Sequence, residues 1–466
     1  MSVVILLADG ARPDTLDAAL TAGALPALAQ LRDEGGFHTV TSCFPSVTGP
    51  AYAPFLMGRF PGPVGLPGLR WFDRDRTTLR PPDYTRSYVG YQMGAVDRDI
   101  DADAPTIFEL SGSSLGALSV IGRGLARRDR IGSITPRSAF RAARTHFTGD
   151  VAGWLRIDTD VANEVADRVR EDAPEFVFAA FTGVDKVSHA RGHQSPMIME
   201  ALAIVDGAAA RIRSDAERAR RWDDMALWIV SDHGHSPVAA HEDLVRIVEA
   251  AGFRTMAHPW VFAIAPDVAV MVSGNAMAHL YLDVRARSAG GGELDARWSP
   301  LVDALLARPS VDLLLLRRPN GAVVRTSSRG SASVSMDDGR YSYQRQSGDP
   351  LGIAHDLSGV SADAAYEATI ETDYPDSLVQ ITHLLTASRS GDIVLSAARD
   401  WDFRARYEPI PHVSSHGALH REHMLVPLLL NRPAARTPRR TVDVMPSALA
   451  VLGKAVPDGL DGVSFF

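Results

Sequence analysis

Three times along the chain a short, unbroken apolar run ends close to an aspartate or histidine. Val3 to Ala8 runs into Asp9-Gly10, Phe176 to Phe181 is followed by Asp185 and His189, and Ala226 to Ser231 runs into Asp232-His233. Runs of this length are too short to span a membrane, which takes ~18 or more apolar residues. Continuous apolarity without alternation marks a strand buried on both faces, as in a parallel sheet covered by helices. Ala117 to Ile121 and Asp392 to Leu395 read the same way. Helical periodicity fills the intervals: Asp14 to Glu34 with a break near Ala24 to Pro26, Asp158 to Glu171, Met197 to Arg220 and Glu242 to Ala250. Strands alternating with helices predict an α/β fold, a doubly wound, mostly parallel sheet flanked by helices.

The texture changes after about Phe253. Ala278 to Asp283, Asp312 to Leu316, Gly321 to Thr326, Ser331 to Met336 and Tyr341 to Arg345 read as short strands, with turns at Arg318-Pro319-Asn320-Gly321 and Asp337-Asp338-Gly339. Residues 253–390 are therefore expected to form an inserted, partly antiparallel α+β cap, and residues 1–252 with 391–466 the core. The run Ala289-Gly290-Gly291-Gly292 reads as a flexible loop.

Composition narrows the chemistry. The 466 residues carry 48 Lys plus Arg against 56 Asp plus Glu, a net charge of −8, which disfavours a nucleic-acid partner. The single cysteine, Cys43, excludes an internal disulfide and a cysteine-built zinc site. Fifteen histidines and many aspartates leave nitrogen and oxygen as the available metal ligands. The N-terminal apolar run is short, lacks a basic flank and meets Asp9 at once, so a soluble, cytoplasmic protein without a membrane segment is expected.

In open α/β sheets, ligands bind outside the carboxyl ends of the strands. Asp9, Asp185, His189, Asp232 and His233 all follow predicted strands, and His416 stands in Ser414-Ser415-His416-Gly417, shortly before the apolar run Leu425 to Leu430. Asp185 and His189 are spaced to share one face of a helical turn. Taken singly, each residue reads equally well as a cap, a turn or a solvated pair. Three Asp and three His together suffice for two metal ions, the arrangement that clamps attacking and leaving oxygens in phosphoryl transfer.

The motif order Ala8-Asp9-Gly10, Pro45-Ser46-Val47-Thr48-Gly49-Pro50 leading to Met57-Gly58-Arg59, Asp185-Lys186-Val187-Ser188-His189, Ser231-Asp232-His233-Gly234 and Ser415-His416-Gly417 resembles the alkaline phosphatase superfamily, closest to its nucleotide pyrophosphatase/phosphodiesterase branch. The tail from Thr441 to Ser447 and from Gly459 to Gly462 is similar to that family's closing segment. The resemblance implies one zinc held by Asp185, His189 and His416, and a second held by Asp9, Asp232, His233 and the nucleophile. Mn²⁺ or another divalent ion is an alternative occupant.

Ser42, Cys43, Ser46 and Thr48 crowd the nucleophile position. Cys43-Phe44-Pro45-Ser46 resembles the opening of the sulfatase signature, but Val47 stands where that signature carries Arg. In the family the nucleophile precedes the Gly of the downstream turn by a constant interval, and counting back from Gly58 reaches Thr48. Ser46 is the runner-up, and Cys43 reads as a packed thiol. Phosphodiesterase relatives carry an Asn after that turn. Here the stretch Gly65 to Asp73 has none, and Arg70 is the candidate for holding a phosphate oxygen, with a salt bridge as its plainer role. Trp71 and Phe72 are expected to pack, and His193, His235, His420 and His423 to orient ligands or sit in loops.

The expectation is a two-zinc hydrolase that cleaves phosphate diesters or nucleotide pyrophosphate bonds through a phosphothreonine, on a small-molecule phosphate ester or nucleotide, with a homo-oligomer compatible. Phosphomonoester or phosphonate hydrolysis on the same metals is the nearest alternative. A non-catalytic phosphoryl-binding module is the alternative of a different kind.

Overall fold

A computed structural model describes residues 1–74, 85–132, 144–145, 148–258, 265–284, 294–404 and 411–466. The Ala289-Gly292 segment lies outside the described residues. A seven-stranded sheet runs in the order Phe37–Thr41, Leu425–Leu430, Met225–Val230, Ser2–Ala8, Phe176–Phe181, Ser114–Ala117, Arg130–Ile131. Its five strands from Met225–Val230 to Arg130–Ile131 pair in parallel, and Leu425–Leu430 is antiparallel to its neighbours.

The apolar runs are buried on both faces, for the reason their composition suggested. Side chains alternate across a strand. Val3, Ile5, Leu7, Phe176, Phe178 and Ala180 enter one hydrophobic cluster, while Val4, Leu6, Ala8, Val177, Ala179 and Phe181 enter another on the opposite face. Helices Pro13–Thr21, Pro26–Gly35, Val151–Asp172 and Met197–Arg218 supply the second cluster. Each buried aliphatic or aromatic side chain contributes roughly 1.5–3 kcal/mol. No helix among the described residues is long and apolar enough to cross a membrane.

The second texture forms a nine-stranded, mostly antiparallel sheet that begins at Thr255–Ala257 and includes every hairpin predicted between residues 253 and 390. It also takes Ile393–Ala397, which pairs with Met277–Leu282 on one side and Val311–Arg318 on the other. The Asp392 to Leu395 run, expected in the parallel sheet, therefore belongs to this one. A continuous apolar run fits the middle of either sheet, and only the partners decide. The strand expected over Ala117 to Ile121 instead covers Ser114–Ala117, because Leu118 turns to φ 48° and leaves the extended region.

A third, small sheet matters most for the site. Ser236–His241 pairs antiparallel with Ser414–Ser415, with Ser415 opposite Ser236, and parallel with Asp400–Asp402. This pairing draws the His416 loop onto the carboxyl edge of the main sheet.

Candidate active site

Asp9 and Asp232 leave the neighbouring strands Ser2–Ala8 and Met225–Val230 at the same edge, and both are almost wholly buried. Asp185 and His189 ride on the helix Gly183–Arg191, one turn apart, with His189 Nε2 3.0 Å from Asp185 Oδ1. That helix is anchored at its start by Asp158, which accepts from the backbone N–H of Thr182 at 3.1 Å and of Gly183 at 2.6 Å. A side chain at Gly183 would meet Asp158 Oδ2 and Leu155 at 2.8 Å, so the close approach needs glycine. Burial pushes the Asp158 carboxyl up to about 7, against the pull of those two amides.

The ligand atoms of Asp9, Asp232 and His233 lie within 4.8 Å of one another, as do those of Asp185, His233, His235 and His416. Thr48 Oγ1 reaches into the first set, 3.1 Å from Asp9 Oδ1 and 3.1 Å from His233 Nε2. His416 Nε2 is 3.5 Å from Asp185 Oδ1, and the His233 and His416 rings stack at 3.6 Å.

Whether these residues suit a metal can be judged from their protons. A carbonyl oxygen only accepts, so a ring nitrogen facing one carries the hydrogen. His189 Nδ1 faces Ser414 O at 2.9 Å, His416 Nδ1 faces Ser46 O at 2.9 Å, and His233 Nδ1 faces Gly234 O at 3.1 Å. All three therefore turn Nε2 toward the carboxylates, which is how ligating histidines are oriented. Asp232 Oδ2 is buried and has no hydrogen-bond partner. Buried carboxylates this close together call for a compensating cation. The donor set is hard and borderline, nitrogen and oxygen only, and it fits divalent ions.

The electrostatics agree. Burial, then the Asp9 charge, push the Asp232 carboxyl well above its usual range. Burial alone would lower His233, but Asp232 and Asp9 attract positive charge to its ring and raise it to about 9. Burial raises Asp185, yet His189 and Lys186 override it and hold that carboxyl well below the usual range. Lys186 Nζ sits 2.7 Å from Asp185 Oδ2, which leaves Oδ1 to face the histidines. Burial and the His233 ring keep His416 well below ordinary imidazole values.

The four nucleophile candidates separate cleanly. Ser42 Oγ donates to Asp232 O, Ser46 Oγ donates to Ala418 O at 3.1 Å, and Cys43 is wholly buried with its thiol pushed up by burial. Only Thr48 Oγ1 contacts the ligand groups. Its loop packs against Gly274, whose φ is 63° and where a Cβ would fall 2.0 Å from Val47 Cγ1.

Arg70 is not gathered into either ligand set. Its Nη1 donates to Val272 O at 3.3 Å, and it lines a cavity with Asp243, Leu244 and His258. Trp71 is fully buried, edge-on to Tyr88 with Arg389 over its ring, so it packs. His423 braces the His416 loop, with Nδ1 accepting from Ala418 N–H at 3.0 Å and Nε2 2.8 Å from Ser236 Oγ. The residue that the sequence reading undervalued is His235, whose Nε2 is 3.1 Å from Asp185 Oδ1. Its signal was the second histidine of Asp232-His233-Gly234-His235, just before a strand.

A parallel sheet with buried Asp and His gathered at its carboxyl edge, beside a second sheet, defines an alkaline phosphatase-like metallohydrolase fold. The sequence model described as type I phosphodiesterase / nucleotide pyrophosphatase matches residues 3–419, and the chain belongs to that family of phosphoric ester hydrolases. No curated protein matches it by sequence. Among solved structures it is similar to phosphonoacetate hydrolase from Sinorhizobium meliloti 1021 in complex with phosphonoformate, at 16% identity and TM-score 0.59, covering 97% of this chain and 96% of that one. It is also similar to murine ectonucleotide pyrophosphatase/phosphodiesterase 5, at 16% identity and TM-score 0.56, covering 98% and 96%. An inactive threonine-to-alanine variant of the murine protein is solved in complex with AMP, at 15% identity, TM-score 0.56 and the same coverages, 98% and 96%.

Proposed function

We propose that the chain cleaves phosphate diesters or nucleotide pyrophosphate bonds, using two zinc ions and Thr48 as the nucleophile. One observation carries the reading: the Thr48 hydroxyl stands 3.1 Å from both Asp9 Oδ1 and His233 Nε2, inside a buried donor set. Asp185, His189 and His416 are assigned to one ion, and Asp9, Asp232, His233 and Thr48 to the other, with Mn²⁺ or another divalent ion able to replace zinc. Bound there, the ions supply the positive charge that lowers the pKa of the threonine hydroxyl and neutralises the phosphoryl oxygens. Thr48 Oγ1 attacks phosphorus as the leaving oxygen departs, and water then cleaves the phosphothreonine. The Thr48 hydroxyl proton lies on its hydrogen bond to Asp9, so no separate general base is needed. The inactive threonine variant of the murine relative supports a threonine in this role.

A phosphonate or phosphomonoester is the second reading. The structural likeness to a phosphonoacetate hydrolase over 97% of this chain supports it. Rates on mono- and diester forms of one chromogenic leaving group decide between the two. Thr48→Ala should lower turnover of the better substrate by at least about a thousandfold while zinc content stays near two ions per chain. Full activity in that variant would sink the nucleophile assignment.

A further inference from the structure

We infer that His235 is itself a metal ligand, completing with Asp185, His189 and His416 a four-residue donor set for the first ion. The inference rests on the two-ion reading above and extends it to a residue that reading leaves outside. His235 is fully buried, and its ring is wedged against the first strand's turn. A Cβ on Gly10, at φ 80°, would come within 2.9 Å of its Cδ2 and Nε2.

Hydrogen-bond accounting places its proton. Ser414 Oγ donates to Ser236 O at 2.8 Å, which uses its only hydrogen. The same oxygen lies 3.3 Å from His235 Nδ1, so there it accepts, and Nδ1 carries the N–H. Nε2 then presents its lone pair to Asp185 Oδ1 at 3.1 Å. A brace for that carboxylate would need a hydrogen on Nε2, and Asp185 Oδ2 already has Lys186 at 2.7 Å. Two acceptors that face each other in a dry site fit one purpose, sharing a cation.

The spacings match. Bonds of roughly 2.0–2.1 Å at tetrahedral angles set two donors of one zinc roughly 3.3 Å apart. Asp185 Oδ1 has His189 Nε2 at 3.0 Å, His235 Nε2 at 3.1 Å and His416 Nε2 at 3.5 Å. His235 thus lies as near that oxygen as either assigned histidine, and its ligand atom is also within 4.8 Å of those of His416 and His233. With His235 the first site offers four protein donors, as many as Asp9, Asp232, His233 and Thr48 offer the second.

The test uses the full chain, loaded with ¹¹³Cd and labelled with ¹⁵N-histidine. Four imidazole Nε2 atoms should show scalar coupling to cadmium, and assignment by single replacement should trace one of them to His235. Three coupled imidazoles, those of His189, His233 and His416, would leave the two-ion reading standing and overturn the role of His235. No coupling at all would overturn both. In His235→Ala, the first ion's affinity should fall by more than the about 10–100-fold that losing an outer hydrogen-bond partner costs. A smaller fall overturns the inference. If that variant does not fold, the cadmium count on the unaltered chain still decides.

Discussion

Replacing Asp232 by Asn removes one negative charge and keeps the side chain's shape. Asp232 Oδ1 accepts from Gly10 N–H at 3.3 Å, a bond that an amide oxygen also makes. Its Oδ2 makes no hydrogen bond and lies 3.6 Å from His233 Nε2, so an amide nitrogen there loses no hydrogen bond but gives up a charge beside that ring. At the 4.8 Å outer limit for ligand atoms in this set, and an effective dielectric of about 20, two carboxylates repel by about 3.5 kcal/mol. Proton uptake relieves part of that, since burial and Asp9 already push the Asp232 carboxyl well above its usual range. The His233 ring, raised to about 9 by Asp232 and Asp9, offsets the rest, so in chelator at neutral pH the variant's stability should lie within about 1 kcal/mol of the parent's. With ~2.1 cal/mol/K of unfolding entropy per residue, a 466-residue chain shifts roughly 1 °C per kcal/mol, so its Tm should stay within about 1 °C of the parent's. With zinc the parent should become clearly the more stable, because it gains binding energy that the variant loses. Calorimetric scans of both proteins in chelator and in excess zinc measure this directly. An undiminished zinc-induced rise in Asp232→Asn would refute a cation site at these carboxylates.

Three further outcomes follow from buried polar groups. Burial holds the His279 imidazole down at about 4; Nε2–H donates to Pro67 O at 2.8 Å and Nδ1 accepts from Gly391 N–H at 3.2 Å. Since the unfolded pKa is about 6.5, the folded chain binds fewer protons between these values. Stability from this group is complete above pH 6.5 and is lost as pH falls toward 4, by about 3 kcal/mol in all; urea midpoints of His279→Gln should depend less on pH over that window. Asp376→Ala should cost about 3–5 kcal/mol, because it strands Arg440, which now makes bonds of 2.7 and 2.8 Å to that carboxylate. It should also lower kcat, since Gln380 links Asp376 to the loop before Thr48 through Phe44 N–H at 2.8 Å; a urea titration shift under about 1 kcal/mol would contradict the account. Asp158→Ala should remove about 1–3 kcal/mol by leaving the buried Gly183 amide and the part-buried Thr182 amide unpaired and reduce zinc uptake at Asp185 and His189, which inductively coupled plasma measurement of bound metal would register.

Much of the site was legible along the chain because a parallel sheet sends every strand's carboxyl end to one edge. Asp9 and Asp232 follow adjacent strands, so any fold that pairs those strands brings the two carboxylates together. Asp185 and His189 needed only one helical turn. Thr48 was reached by counting back from Gly58, and the structure adds that Ser42, Ser46 and Cys43 are engaged elsewhere. Arg70 was argued from an absent Asn, and its guanidinium donates to Val272 O in a different cavity. Loop direction depends on partners far away in sequence, which no local pattern encodes.

The alternation of short apolar runs with helical stretches was enough to determine an α/β core, since such runs satisfy their backbone and bury their side chains only within a covered sheet. It also narrowed the candidate donor set, because a chain with one cysteine and many Asp and His cannot build a cysteine-rich site. Tertiary structure alone decided which sheet received Ile393–Ala397, since its apolar run suits the middle of either. It alone decided the place of His235 as well. That ring reaches Asp185 because Ser236 pairs with Ser415, far away in sequence, and Ser414 orients its Nδ1. Strand pairing of that kind is a long-range choice of register, set by packing rather than by any residue's own preference.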